Sequence, residues 1–125
     1  MAAITSGPAV LDWQLYAGDR NRERFEIAGD DPVDISGAVI AAQARLTPDD
    51  ATVAMTAVVT EENLALGSFW VEWPGEEVRA LLGPDGTWAG VWDLEITEAG
   101  ETLPRTWLRG KITALLDVTR VVPAP

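Results

Sequence analysis

The stretch TWAGVWDLEIT, residues 87–97, decides the fold. Its large apolar side chains recur at every second position. Trp88, Trp92, Leu94 and Ile96 fall on one side with Gly90, and Ala89, Val91, Asp93 and Glu95 fall on the other. A period of two belongs to an extended chain with one face buried, whereas a helix needs 3.6. The stretch therefore predicts a long central strand.

The same alternation runs outward in both directions. Toward the C-terminus, Glu98-Ala99-Gly100-Glu101 is turn-rich, and Leu103–Arg109 and Lys111–Val118 read as the returning strand. The expected hairpin register sets Trp92 opposite Leu108, Trp88 opposite Ile112 and Gly90 opposite Gly110. On the outer face it sets Glu95 opposite Arg105 and Asp93 opposite Trp107. A one-residue slip would turn Arg109 onto the buried face, so the register should be firm.

Toward the N-terminus, further alternating runs appear. Leu11, Trp13 and Leu15 share a face, as do Glu23, Phe25 and Ile27, and Ile40, Ala42, Ala44 and Leu46. Val53, Met55, Ala57 and Val59 continue the pattern, followed by Phe69, Val71 and Trp73. The breaks carry turn chemistry, including Gly29-Asp30-Asp31-Pro32, Pro48-Asp49-Asp50 and Gly83-Pro84-Asp85-Gly86. One segment differs. PGEEVRALLG has Pro74 at its start, two acids in its first turn and Gly83 as a stop, which predicts a short helix near residues 75–82. Short strands at this spacing predict an all-β antiparallel sandwich of about 7–9 strands. The expected division is an N-terminal arm over 1–9, a sandwich over 10–120 and a C-terminal tail over 121–125.

Composition narrows the chemistry. The chain has 125 residues, 20 Asp+Glu against 9 Lys+Arg, and neither His nor Cys, for a net charge of −11. Without His and Cys, triads built on imidazole and the usual zinc, copper and iron–sulfur sites lack their groups. A charge of −11 opposes nonspecific nucleic-acid binding and docking on anionic lipid. MAAITSGPAV lacks the basic start and apolar run of a signal peptide, which leads to a cytoplasm-like setting unless the chain leaves inside a larger particle. The charge is uneven. Residues 1–37 carry −4, residues 38–102 carry −10, and residues 103–125 carry +3. The basic closing segment pairs with the acidic central strand in the expected hairpin.

Candidate sites are few, and each has a plainer reading. Adjacent acids such as Glu61-Glu62 and Glu76-Glu77 point to opposite faces when extended, so they do not make an acid/base pair, and an enzyme is the weakest reading. Asp30, Asp31 and Asp34 could gather around calcium, but the spacing is not that of an EF-hand and a solvated turn is the plainer account. Gly83-Pro84-Asp85-Gly86 is a connector and not a phosphate loop. Alternation puts Trp13, Trp73, Trp88 and Trp92 in the core and Trp70 and Trp107 on outer faces. The last two are candidates for a protein contact, or secondarily a sugar platform, and Val121 and Val122 in the tail join them as contact candidates.

Several short motifs together are similar to small β-sandwich domains of tailed-bacteriophage minor tail and baseplate proteins. They are Gly18-Asp19 after the first strand, Pro32 to Ala38, Ala89 to Glu95, and Asp117 to Thr119. The resemblance spans about Leu11 to Arg120 and departs from the pattern at the paired Trp88 and Trp92. It implies an immunoglobulin-like sandwich with no catalytic residue and no cofactor. It also implies a structural or adaptor part of a virion tail or tail tip, assembled in the host cytoplasm as a homo-oligomer beside other virion proteins. A capsid decoration or head-fibre protein of the same fold, or a carbohydrate-binding module for host attachment, are the alternatives.

Overall fold

The computed structural model describes residues 2–4, 9–27 and 33–117. Among them, ten strands form two sheets. The strands are β1 (Ala2–Ile4), β2 (Ala9–Val10), β3 (Trp13–Tyr16), β4 (Asn21–Ile27), β5 (Val39–Arg45), β6 (Met55–Thr56), β7 (Val58–Asn63), β8 (Ser68–Trp73), β9 (Thr87–Thr97) and β10 (Arg105–Leu115). A four-stranded sheet has the order β1-β4-β8-β7, and a six-stranded sheet the order β2-β10-β9-β5-β6 with β3 also on β10. The chain is thus an all-β, two-sheet protein, as the period-two pattern predicts. Among the described residues no helix is long and apolar enough to cross a membrane.

The inner faces are those that alternation assigned, except that Leu46, expected beside Ala42 and Ala44, lies past the end of β5 and is exposed. Phe25, Phe69, Val71 and Trp73 from one sheet join Ala42, Ala44, Leu94, Ile96 and Ile112 from the other in a single core. Trp13 is the hub of its aromatic part, edge-on to Phe25, Trp73 and Trp92 with centroids 5.3–5.9 Å apart. Edge-to-face contacts of this kind add about 0.5–1.5 kcal/mol each beyond burial. The expected helix is α1 (Gly75–Leu81), linking β8 to β9 across the two sheets, with Val78 fully buried and Leu81 and Leu82 packed against the core margin.

The hairpin register differs from expectation. Trp92 lies opposite Gly110, Gly90 opposite Ile112, and Trp88 opposite Ala114, two residues away from the expected pairing. Faces are preserved, because a shift of two keeps parity. The cause is volume. A Cβ on Gly90 would overlap the Trp88 ring, and one on Gly110 would overlap the Leu11 carbonyl. Gly90 therefore serves as the hollow for the Trp88 ring and Gly110 as the opening for the Leu11 backbone, and the two do not face each other. A further one-residue shift between Thr106 and Leu108 puts Glu95 opposite Thr106 and Arg105 opposite Ile96. The expected Glu95–Arg105 and Asp93–Trp107 pairs are thus replaced, and Asp93 faces Arg109.

Two more departures concern connectivity. The run expected as one strand over 53–60 changes sheets at Ala57: β6 pairs β5, and β7 pairs β8. The N-terminal segments pair in parallel, β1 on β4 and β2 and β3 on β10. The sandwich is therefore mixed and not wholly antiparallel, and the expected N-terminal arm supplies β1 and the first residue of β2. The crossing from β3 to β4 is closed by buried Asn21, whose side chain accepts from the Tyr16 N–H at 3.0 Å and donates to the Tyr16 carbonyl at 3.0 Å. These bonds satisfy a corner that would otherwise hold unpaired backbone groups.

Candidate functional site

The two outer faces are built differently. On the four-stranded sheet, alternation turns Arg22, Arg24, Trp70 and Glu72 outward, and these side chains satisfy one another. Arg20 donates to Glu72 at 2.8 Å, with Arg22 4.0 Å from the same carboxylate. Arg24 pairs with Glu62 and lies 3.5 Å from Glu26. The Glu62 hydrogen bond holds the Arg24 proton more tightly than usual, with Glu26 adding to it. The Arg22 guanidinium stacks on Trp70, 3.9 Å from the ring centre.

The outer face of the six-stranded sheet carries a concavity of about 740 Å3. Its rows follow from the register. Gln43, Asp93, Arg109 and Val10 lie side by side across β5, β9, β10 and β2, and Arg45, Val91 and Lys111 form the next row. Arg45 is anchored, donating to the Asp50 carbonyl at 2.8 Å and to Gln43 Oε1 at 3.3 Å. Asp93 is partly buried without an ion pair within 4 Å among the described residues. Burial pushes its carboxyl above the usual range, and nearby Arg45 only partly offsets this. The side chains of Arg109 and Lys111 make neither an ion pair nor a hydrogen bond among the described residues, although both are exposed beside a carboxylate.

A backbone kink shapes the rim. Between β2 and β3 the Leu11 N–H still donates to the Arg109 carbonyl at 2.9 Å, but the Leu11 carbonyl and Asp12 leave the ladder over Gly110. The Leu11 carbonyl turns inward and accepts from Trp92 Nε1 at 2.8 Å, and the Asp12 carboxylate replaces it as acceptor for the Lys111 N–H at 2.9 Å. Only glycine leaves room for this approach at position 110. The kink also irregularises an edge that would otherwise offer a continuous row of free backbone groups.

The contact candidates named from sequence are separated by the fold. Trp70 is on the outer face of the four-stranded sheet as expected, half-buried, with Arg22 over its ring. Trp107 occupies the irregularity in β10, packs against the core margin, and has a buried indole N–H without a partner. It is more covered than simple alternation implies, because the extra residue breaks the parity there. Val121 and Val122 lie outside the described residues, as do Asp30 and Asp31. Asp34 is engaged locally, accepting from the Ser36 N–H at 2.9 Å and the Ser36 hydroxyl at 2.6 Å, which hold its carboxyl below the usual range. Among the described residues no group of three or more acids is gathered as a metal site. Trp73 and Trp92 are buried, and Trp13 and Trp88 pack against the core half-buried.

The group that sequence reading missed is Asp93 with Arg45, Arg109 and Lys111. They come from three strands, and only the register joins them. The available signal was the outward charge on both arms of the hairpin, which the expected register paired differently. Of the motif residues of the resemblance, Ala89 to Glu95 are ladder positions of β9, Gly18, Asp19, Ser36 and Gly37 lie in turns, and Pro32, Val118 and Thr119 lie outside the described residues. Two of them meet: a Cβ on Gly18 would stand 3.0 Å from the Asp117 carboxylate.

No family model matches the chain, and no curated protein matches it. Among solved structures it is similar to the bradyzoite-specific antigen BSR4 of Toxoplasma gondii, with 15% identity and a TM-score of 0.35. That match covers 92% of this chain and 45% of the antigen, so the chain spans under half of its length.

Proposed function

We propose that the chain is a non-enzymatic structural or adaptor part of a tailed-phage virion, at the tail or tail tip, acting through protein contacts. We further propose that its sandwich is immunoglobulin-like. The order β4-β8-β7 against β10-β9-β5-β6 supports this, as does the parallel pairing of β2 and β3 with β10. It parallels the B-E-D and G-F-C-C′ arrangement of variable-type domains. The phage assignment draws on the motif resemblance.

The observation that carries the contact role is the difference between the outer faces. One is closed by its own ion pairs. The other is concave and leaves Asp93, Arg109 and Lys111 unpaired. A face that holds partly desolvated charge without partners is suited to receive them from another protein. A sugar platform has less to stand on, because the indole at this concavity is Trp92, which is buried.

The test is location and assembly. Immunogold labelling of particles of the encoding phage should mark the tail or tail tip, and the purified chain should join tail proteins in a pull-down. Labelling confined to the capsid would move the assignment to a decoration protein. A chain that is absent from particles and captures no virion protein would overturn the reading.

A further inference from the structure

The outer concavity also constrains the chemistry of what it holds. Its charged lining is Asp12, Arg45, Asp93, Arg109 and Lys111. Asp12 is committed to the Lys111 backbone N–H and Arg45 to the Asp50 carbonyl and Gln43. The cations left to meet a partner are Arg109 and Lys111, with the carboxylates of Asp93 and exposed Asp12 beside them. Arg109 and Lys111 alternate on β10, so their side chains leave the same face about 7 Å apart. Two carboxylates at alternate positions of an extended segment have that same spacing. Arg45 stands two strands away in the row of Lys111, about 10 Å across, and closes the far side.

The net charge decides between occupants. A second copy would bring another −11 against this one, and such bodies repel over the Debye length of about 8 Å at physiological salt. The local attraction of two cations is more easily satisfied by an acidic strand or loop on a chain that is not itself strongly acidic. We propose that the concave face of the six-stranded sheet binds an extended acidic segment of a different protein, Arg109 and Lys111 holding its carboxylates. Asp93 stands beside them as the group that weakens the grip. This rests on the contact role proposed above and names its partner's chemistry.

The test is a titration of the full chain, followed by amide NMR, with a blocked peptide in which Glu alternates with Thr. The same peptide with Gln for Glu is the control. The acidic peptide should shift amides of β5, β9 and β10 around the concavity, and the Gln peptide should not. The double variant R109Q/K111Q should bind about tenfold more weakly, the sum of two exposed ion pairs. D93N should bind about two- to threefold more tightly, because a repelling carboxylate is gone. A purely structural role for Asp93 would not produce that gain. The variants' amide spectra report separately whether they fold. The inference is overturned if the acidic peptide does not bind, if its shifts map to the four-stranded sheet, or if R109Q/K111Q binds it unchanged. Any of these, with the chain still joining tail proteins, would leave the contact role standing and remove only the acidic partner.

Discussion

The two outer faces carry similar residue types and reach opposite states. On the four-stranded sheet, Arg20, Arg22 and Arg24 find Glu72, Glu26 and Glu62 within ion-pair reach, and Arg22 spends its flat side on Trp70. On the six-stranded sheet, Asp93 and Arg109 are direct cross-strand neighbours, yet their charged groups do not meet within 4 Å. Charge content does not separate these faces. Nor does regularity alone, since Glu62 sits at a register shift of β7 between Glu61 and Asn63 and still reaches Arg24. What sets the second face apart is the kink over Gly110 together with the shift at Trp107, which leave Asp93, Arg109 and Lys111 around a hollow without ion pairs among the described residues.

The largest expected effect comes from removing that irregularity. Gly110→Ala forces the Leu11 carbonyl away and takes the acceptor from Trp92 Nε1. A loss of about 2–4 kcal/mol in urea unfolding is expected, with a shift in tryptophan emission. A loss below about 0.5 kcal/mol would mean that the kink does not depend on glycine.

Glu72→Gln on the paired face should cost less. It removes a partner from Arg20 and Arg22 in a half-exposed setting, so up to about 1 kcal/mol is expected, shrinking as salt is raised. Thermal melts at low and high salt check this, and a salt-independent loss would contradict the ion-pair account.

Asp93→Asn tests the open face through pH. Burial raises the Asp93 carboxyl, so the folded protein binds this proton more readily than the unfolded chain. The charged form therefore opposes folding at neutral pH, and that opposition is relieved as pH falls through the raised value. The variant should have the higher urea midpoint at about pH 7, and the gain should vanish at about pH 3. A variant that is less stable at neutral pH would show that Asp93 is held by favourable contacts.

The smallest effect is expected at Arg109. Its side chain is exposed and makes no ion pair among the described residues, so Arg109→Gln should change stability by less than about 0.5 kcal/mol. The contrast with Glu72→Gln is the point: a cost equal to that variant's would mean the open face pairs its charges after all.

Much of the fold was legible because alternation reports which face a residue uses. Phe69, Val71 and Trp73 are buried for the reason their spacing shows, and α1 lies where Pro74 and Val78 indicate. Alternation does not report which strand is the neighbour. It therefore passed through Ala57 without revealing the change of sheet, and it could not show that β2 and β3 lie parallel to β10. The hairpin shifted by two because matching glycine with glycine ignores that a tryptophan needs the glycine's empty space. That shift decided the candidate site. With Asp93 assigned to Trp107, the outer row Gln43–Asp93–Arg109 could not be read from the sequence. Trp70 and Trp107 drew notice as large aromatics, while the unpaired charges depended on register alone.

The most direct test of the docking face uses Lys111, the sole lysine of the chain. It lies in the concavity and is exposed in the free protein. The rate of Lys111 acylation can be followed by peptide mass spectrometry, in the isolated chain and in the chain bound to the protein it captures or assembled in a particle. If the six-stranded sheet's outer face is the docking face, Lys111 should react readily when free and be protected at least about tenfold in the assembly. Equal reactivity in both states would contradict the account.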